Sequence, residues 1–420
     1  VEVVAADHVV GGGHDGLVQW LAGSGWAPTG DHPRVQADIV SLDHVERVPG
    51  PTSAGPAGEA GADVVECQPM EIGIMTLGDW LADPTTGVLR TEAERHRSIV
   101  DQAVAAEAAG FVSVHLGEHH FSEYILSSPT VVLAAIADRT STLRLSNGVA
   151  LAGTLDPVRV AEDYGTIDAL SGGRVEPCFG RGSIYPDVYT FFGQDPGEAQ
   201  ARFGENVRLV DQLWRAEGPI DWTGEFRADL TDVQVYPRPT QRPRPPIWSG
   251  GGWSPDTVDL AVDIGAWLML PTVVGTWEMF VPVVERYIEG WEAAGRDPAD
   301  RRIGCCSHFH VATDSQVAHQ RWEARYVGYM TAVNHWIKQS AQRAGPESRG
   351  LGPIDFDAMT STIAICGSPE EALDRMGVAA EMLQLDTQLL MMDLGGLPDA
   401  ELYESIELAG SHVLPAAASL

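Results

Sequence analysis

From Glu71 onward, the hydrophobic positions of the chain form short apolar runs that alternate with longer amphipathic stretches. The first apolar run, residues 71–76, predicts a strand. Thr91 and Glu94 then form a capping box for a helix that carries apolar residues at helical spacing and ends at Gly110. The further predicted strands cover residues 111–116, 143–152, 174–179, 246–249, 267–271, 303–312 and 388–394. The further predicted helices cover residues 131–137, 157–170, 199–215, 254–264, 277–294 and 400–409.

Eight strands that alternate with helices over about 350 residues predict a parallel α/β architecture, most simply a (β/α)8 TIM barrel. We expect this barrel to occupy residues 69–420. An insertion around residues 316–357 separates the last two strands, and its first part predicts a helix. Its polar part, residues 339–353, contains glycine and proline and is typical of an active-site lid or a mobile loop.

The amino-terminal segment, residues 1–68, differs in composition from the rest of the chain. It contains Gly11-Gly12-Gly13, Pro49-Gly50-Pro51 and a stretch of small residues at 53–62 that is rich in proline and glycine. Such composition favours a linker, so we predict a poorly structured extension. No basic segment followed by an apolar core is present, which argues against a secretory signal.

The net charge of the chain argues against a nucleic-acid partner. With 27 Lys and Arg against 59 Asp and Glu, the 420 residues carry a net charge of −32, which would repel nucleic-acid phosphates. No run approaches the roughly 18–20 apolar residues of a membrane helix, so we expect no membrane association.

The five cysteines are an odd number without metal-ligand spacing. They indicate reduced thiols and a cytoplasmic protein.

Two adjacent histidines and a carboxylate follow the predicted strand 111–116. Glu118, His119 and His120 stand where the carboxyl end of a barrel strand would meet the active-site face. Histidine titrates near neutral pH, so His119 is a candidate for proton transfer, and a well-bonded histidine at a strand end is the alternative. A metal site that uses His115, His119 and His120 lacks a further Asp or Cys ligand at suitable spacing, and we predict no metal.

Arginines and glycines at later strand ends predict an anion site. Arg181 lies between two glycines at a strand end, where the backbone can approach a ligand closely, and Arg202 lies on the next helix. The turn that contains Gly252 leads into a helix at Ser254, and Thr257 lies in the first helical turn. Guanidinium groups and a helix N-terminus both suit a phosphate, although each arginine alone could form a surface salt bridge.

At this point the chain resembles the bacterial luciferase-like monooxygenases, which are flavin-dependent β/α barrels. The resemblance begins near Glu71 and reaches the C-terminus, and it is close to the luciferase α subunit at Glu118-His119-His120-Phe121. The first 70 residues have no counterpart in the family. The matching segments, in order, are residues 118–123, 156–163, 170–174, 180–182, the helix of Arg202, residues 246–254 and residues 367–371.

The resemblance implies a two-component monooxygenase and a site. Reduced FMN from a separate NAD(P)H:flavin reductase would react with O2 to a C4a-peroxyflavin that oxidises a small organic substrate, and the family habit is a homodimer. His119 would be catalytic, with Glu118 beside the flavin. The implied cofactor-binding residues are Arg181, Arg202, Ser254, Thr257, Gly252, Trp253, Gly148 and Val149. The implied substrate-pocket residues, for which barrel-core packing is the alternative, are Met75, His120 and Tyr185.

Details of the resemblance leave alternatives open. The family has a cis peptide bond beneath the flavin where Gly148 and Val149 stand here, and the sequence is compatible with it. Luciferase α chains often carry a reactive cysteine where this chain has Gly180, which puts a thiol adduct in doubt. A deazaflavin (F420) hydride-transfer enzyme and a non-catalytic flavin-binding protein are the alternative functions. The sequence leaves the substrate open.

Overall fold

The strands alternate with helices along most of the chain. The computed structural model describes residues 69–182, 184–252, 254–344 and 350–420, so the predicted extension 1–68 lies outside the described residues. The strands are β1 Glu71–Thr76, β2 Ser113–Leu116, β3 Arg144–Asn147, β4 Ala150–Leu151, β5 Cys178–Gly180, β6 Ile220–Trp222, β7 Leu230–Val233, β8 Trp248–Gly250, β9 Trp267–Leu270, β10 Ile303–Val311, β11 Ala364–Gly367 and β12 Thr387–Met391. The α-helices are α1 Glu92–Ala109, α2 Pro129–Arg139, α3 Pro157–Ser171, α4 Asp187–Phe191, α5 Ala199–Arg215, α6 Pro255–Ile264, α7 Val281–Ala293, α8 Ser315–Ala344, α9 Phe356–Thr362, α10 Pro369–Leu383, α11 Asp399–Leu408 and α12 Leu414–Ala417.

The parallel strands form a barrel. Their order is β3-β2-β1-β12-β10-β9-β8-β5-β4, and β11 pairs in parallel with residues 308–311 of β10. β3 and β4 stand at the two ends of this order, yet only Gly148 and Val149 separate them in the chain. They therefore act as two parts of one barrel strand, which closes the sheet into a barrel. The predicted (β/α)8 TIM barrel is therefore confirmed. Within the described residues, no helix combines the length and apolar character that a membrane span needs.

The core has an outer and an inner layer, and β10 contributes to both. All nine residues of β10 are buried. Cys305 belongs to the apolar layer between strands and helices, whereas Cys306 packs among Met75, Trp248 and Met269 inside the barrel. The two cysteines thus point to opposite faces of the strand, as the sequence predicts.

Two predicted strands are wrong in extent. The predicted strand 143–152 is divided into β3 and β4, because the backbone between them bonds to the end of β2: the Glu118 N–H donates to the Val149 carbonyl at 3.0 Å. The predicted strand 174–179 begins only at Cys178, and Val175 forms an isolated bridge with Leu145.

The insertion before β11 is more helical than predicted. Helix α8 continues to Ala344, so residues 339–344 are not part of the predicted loop. The last turns of this helix are held by buried Asp187, whose carboxylate accepts a hydrogen bond from Ser340 and pairs with Arg343 at 3.3 Å. Residues 345–349 of that predicted loop lie outside the described residues, and its role as a lid stays a prediction. The sequence analysis also missed the antiparallel β6–β7 hairpin, β11 and the short helices α4 and α9.

A buried charge network ties the loops after β1 and β12 to helix α1. Arg95 donates to the Asp79 carbonyl at 2.9 Å and pairs with Asp393 at 2.7 Å. The Gly395 N–H donates to Asp79 at 3.0 Å. Burial raises the pKa of Asp79 to about 6, although Arg95 opposes the shift. A carboxyl group that binds its proton more tightly in the folded chain stabilises the fold at low pH, and this contribution is lost as the pH rises through 6.

We therefore expect Asp79→Asn, which does not titrate, to gain stability relative to the parent as the pH rises from 4 to 7. The difference in unfolding free energy should grow by about 2–3 kcal/mol over this range. Urea unfolding at a series of pH values measures it, with Asp138→Asn at an exposed position of α2 as the control. A difference that does not change with pH would contradict the assignment.

Candidate active site at the carboxyl ends of the strands

Glu118 connects the end of β2 to β4. Its side chain is buried, and one carboxylate oxygen accepts a hydrogen bond from the Leu151 N–H at 2.8 Å. The other oxygen lies 2.8 Å from His120 Nε2. Both carboxylate oxygens are therefore engaged, and Glu118 fixes the backbone after Val149 and the orientation of the His120 ring at the same time.

His119 lies between aromatic rings. Its ring centroid is 4.2 Å from that of Tyr124 and 5.4 Å from that of Tyr185. In the part of the chain that the structure describes, its buried Nδ1 has no hydrogen-bond partner of normal geometry. Burial and the neighbouring His120 lower the pKa of His119 to about 4. The imidazole is therefore neutral at physiological pH, and such a ring can accept a proton at one nitrogen while it donates a hydrogen bond from the other.

Helix α8 supplies an aromatic wall next to His119. The Tyr329 hydroxyl lies 3.2 Å from that of Tyr124, and the Trp336 ring packs on the Tyr124 ring with centroids 4.6 Å apart. Burial raises the pKa of both tyrosines well above the usual value, so their hydroxyls stay protonated. The result is an apolar, water-poor surface that offers neutral hydroxyl groups beside a neutral histidine.

The Gly148–Val149 peptide bond is cis, and it lies in a close-fitting cradle. A Cβ added to Gly180 would lie 2.4 Å from Val149 Cγ2, and one added to Gly250 would lie 2.5 Å from Val149 Cγ1. The Met75 side chain packs against Gly148, since a Cβ added to Gly148 would lie 2.6 Å from Met75 Cε. A cysteine at position 180 would collide with Val149, which gives a physical reason for the glycine found there.

The side chains of Arg181 and Arg202 both lie close to Tyr189. The Tyr189 hydroxyl donates to the Arg181 carbonyl at 2.7 Å, and both guanidinium groups act against the rise in the tyrosine pKa that burial causes. Within the described residues, the Arg181 guanidinium has neither an ion pair nor a hydrogen bond. Arg202 pairs with Glu198 at 2.8 Å, but its Nε is buried without a partner. A buried guanidinium N–H group without a hydrogen-bond acceptor is costly, and a bound anion would supply such acceptors. These residues therefore fit a phosphate group.

The start of helix α6 faces the same region. Ser254 occupies the N-cap position without a side-chain capping bond, and its hydroxyl lies 3.5 Å from Gln200. Thr257 is buried, and its N–H donates to the Ser254 carbonyl at 3.1 Å. Asp256 lies close enough to favour the charged form of Arg181, whose pKa burial lowers. Gly252 belongs to this turn, whereas the predicted contact residue Trp253 lies outside the described residues.

The remaining candidates have structural partners. His115 lies between the Asn147 carbonyl at 3.2 Å and the Ser113 hydroxyl at 3.1 Å, and burial lowers its pKa to about 3. In the described part of the chain, no three His, Cys, Asp or Glu side chains form a group that could hold a metal ion. A cavity of about 380 Å³ beside Asp79 and Arg95 contains none of the predicted site residues.

The sequence analysis missed several residues of this region. Tyr124, Tyr329 and Trp336 surround His119, and Tyr189 joins the two arginines. Tyr124 lies just beyond the predicted histidine motif, which is a weak signal. Nothing in the sequence links α8 to that motif, because more than 200 residues separate Tyr124 from Tyr329.

Comparison with known proteins shows to which family the chain belongs. The family model described as luciferase-like monooxygenase matches residues 70–384. The chain belongs to this family. The oxygenase component of the flavin-dependent trigonelline monooxygenase of Acinetobacter baylyi is 27% identical over 343 residues, which are 78% of this chain and 91% of that protein.

Solved structures that are similar to this chain show the same fold. The monooxygenase RslO1 from Streptomyces bottropensis superimposes with a TM-score of 0.71 at 26% identity, over 82% of this chain and 99% of that one. The oxygenating constituent of 3,6-diketocamphane monooxygenase from Pseudomonas putida, in complex with FMN, gives a TM-score of 0.67 at 18% identity and covers 83% and 98%. An F420-dependent secondary alcohol dehydrogenase gives 0.62 at 17% identity and covers 83% and 99%. The fold is thus shared by proteins that use flavin and by proteins that use F420.

Proposed function

We propose that this family member is the oxygenase component of a two-component monooxygenase that uses reduced FMN and O2 to oxidise a small organic substrate. A separate NAD(P)H:flavin reductase would supply the reduced FMN. The observation that supports this most directly is the half-buried Arg181 guanidinium, which has no ion pair or hydrogen bond within the described residues and lies near the start of α6, in a chain of net charge −32. An acidic protein that leaves such an arginine without a direct salt-bridge partner is suited to an anionic cofactor.

The residues fit the phosphate and the ring of FMN at neighbouring places. Arg181, Arg202, Ser254 and Thr257 would hold the phosphate. The Val149 side chain, held between Gly180 and Gly250, would support the ring.

Bound reduced FMN would supply the two electrons with which one oxygen atom of O2 enters the substrate and the other leaves as water. His119, neutral at physiological pH, would accept or donate the proton at this place. The Tyr124, Tyr329 and Trp336 side chains would exclude water from it. Glu118 would hold the segment after Val149 in position through the Leu151 N–H.

Stopped-flow absorbance tests the proposal. Protein loaded with anaerobic reduced FMN is mixed with oxygenated buffer, beside free reduced FMN as the control. We expect a spectrum that differs from both reduced and oxidised FMN and that decays far more slowly than free FMN reoxidises. Absence of FMN binding, or reoxidation at the rate of free FMN, would overturn the proposal. Reduction of F420 by an alcohol in the same preparation would then favour the hydride-transfer alternative.

A further inference from the structure

The β6–β7 hairpin, which the sequence analysis missed, carries an arginine to the edge of the anion site. Arg202 donates to the Phe226 carbonyl at 3.4 Å, and its guanidinium carbon lies 4.6 Å above the centre of the Phe226 ring. Arg227 follows directly in the chain. The hairpin turn is therefore in contact with one of the two arginines that meet at Tyr189.

Glu205 on helix α5 holds the hairpin turn in this place. Its carboxylate accepts hydrogen bonds from the Glu225 N–H at 2.7 Å and from the Phe226 N–H at 3.1 Å. A Cβ on Gly224 would lie 2.2 Å from a Glu205 carboxylate oxygen, so a larger residue at position 224 would displace the Glu205 side chain from these bonds. The position of Arg227 is thus set by specific bonds.

The Arg227 side chain lacks the partners that its burial requires. Only 17% of it is exposed, and both Nε and Nη1 are buried without a hydrogen-bond partner. The Asp156 Oδ2 forms a long ion pair with Nη2 at 3.9 Å, and the Asp156 Oδ1 accepts from the Val158 and Arg159 N–H groups at the start of α3. Within the described residues, this pair leaves Nε and Nη1 of Arg227 without a hydrogen-bond acceptor. A mostly buried guanidinium with two such nitrogens is suited to a further anion.

We propose that Arg227 is a third arginine of the cofactor site and binds the phosphate of the flavin together with Arg181 and Arg202. This inference rests on the proposed function. Tyr189 joins Arg181 to Arg202, and Phe226, which Arg227 directly follows in the chain, contacts Arg202. Arg202 shares its charge with Glu198, so a phosphate dianion at this place needs a further cation, and Arg227 supplies it.

The test compares two ligands that differ by one phosphate. Dissociation constants of oxidised FMN and of riboflavin are measured from the quenching of flavin fluorescence. We expect Arg227→Ala to weaken FMN binding about tenfold or more and riboflavin binding less than about twofold. Arg227→Lys should lie between, because an ammonium keeps the charge but not the planar fork. Arg181→Ala is the positive control.

The matched negative control is Arg208→Ala on the same helix as Arg202, where Arg208 pairs with Asp263 at an exposed position. Circular dichroism confirms that each variant is folded, and Arg227→Lys carries the test if Arg227→Ala does not fold. Equal loss of both ligands, or no loss of FMN affinity, would overturn the role of Arg227.

Failure of the proposed function gives a different result. If the parent protein binds F420 and not FMN, the same comparison is made between F420 and its deazaflavin chromophore without the phosphodiester. Selective weakening of F420 by Arg227→Ala would retain phosphate binding by Arg227 while the FMN monooxygenase proposal fails. Equal weakening of both deazaflavins would refute the role of Arg227 as well.

Discussion

The His119→Ala variant is expected to lose about 10²–10⁴-fold in the rate of product formation while it binds FMN almost as well as the parent. The reason is that His119 packs against Tyr124 and Tyr185, and none of its contacts within the described residues is with the arginines of the anion site. Single-turnover product formation and FMN titration measure the two quantities. Because burial lowers the pKa of His119 to about 4, its own titration should leave the parent rate unchanged between about pH 5 and 8.

Two further variants separate the roles of His119. His119→Asn keeps a hydrogen-bonding side chain without a titratable nitrogen, so partial recovery of the rate would indicate positioning, and no recovery would indicate proton transfer. His412→Ala, at an exposed position near the C-terminus, is the control for loss of an imidazole. A parallel fall in FMN affinity and in rate after His119→Ala would contradict the catalytic assignment.

The second large effect is expected at Gly180, where alanine should both destabilise the fold and weaken flavin binding. The added Cβ would lie 2.4 Å from Val149 Cγ2, and Val149 cannot retreat toward Gly250 because that side is equally close. Overpacking of this kind costs about 1–3 kcal/mol. Displacement of Val149 should lower FMN affinity by about tenfold, which corresponds to about 1.4 kcal/mol. Urea unfolding and FMN titration provide the measurements.

A double-mutant cycle identifies the cause. Val149→Ala removes both methyl groups that the new Cβ would meet and leaves only the Val149 Cβ, 2.9 Å away, so Gly180→Ala should cost less in that background, although not nothing. Gly218→Ala is the matched control, because nothing lies within 4 Å of a Cβ there. If the cost of Gly180→Ala is the same with and without Val149, the cradle does not explain the glycine.

The alternation of apolar runs with amphipathic helices was sufficient to predict the barrel. Each barrel strand is buried on both faces, as the nine buried residues of β10 show, and this produces continuous apolar runs that are visible in the sequence. The β6–β7 hairpin gave no such signal, because its strands are short and half-exposed. The division of the strand at Gly148 and Val149 depends on bonds from Glu118, which follows another strand, and local sequence does not reveal such bonds.

The site residues also divide into those that local sequence reveals and those that it does not. His119, Glu118 and Arg181 were predicted because each stands at the end of an apolar run, where a polar side chain is conspicuous. Tyr329 and Trp336 lie within a long amphipathic helix, where aromatic residues usually pack in the core. Arg227 became visible only when its missing partners could be examined. Local patterning thus located the groups on strand ends and could not assign those that long-range packing brings in.

Helix α8 has a consequence for how this protein can diverge. The wall beside His119 comes from the insertion that follows β10, whereas the groups suited to the cofactor come from segments before residue 260. Substitutions that change what the aromatic wall accepts therefore fall on a different stretch of chain from those that hold the anion. Duplicated genes can consequently diverge in what this wall accepts by changes within one short segment, while the segments suited to the cofactor are inherited intact.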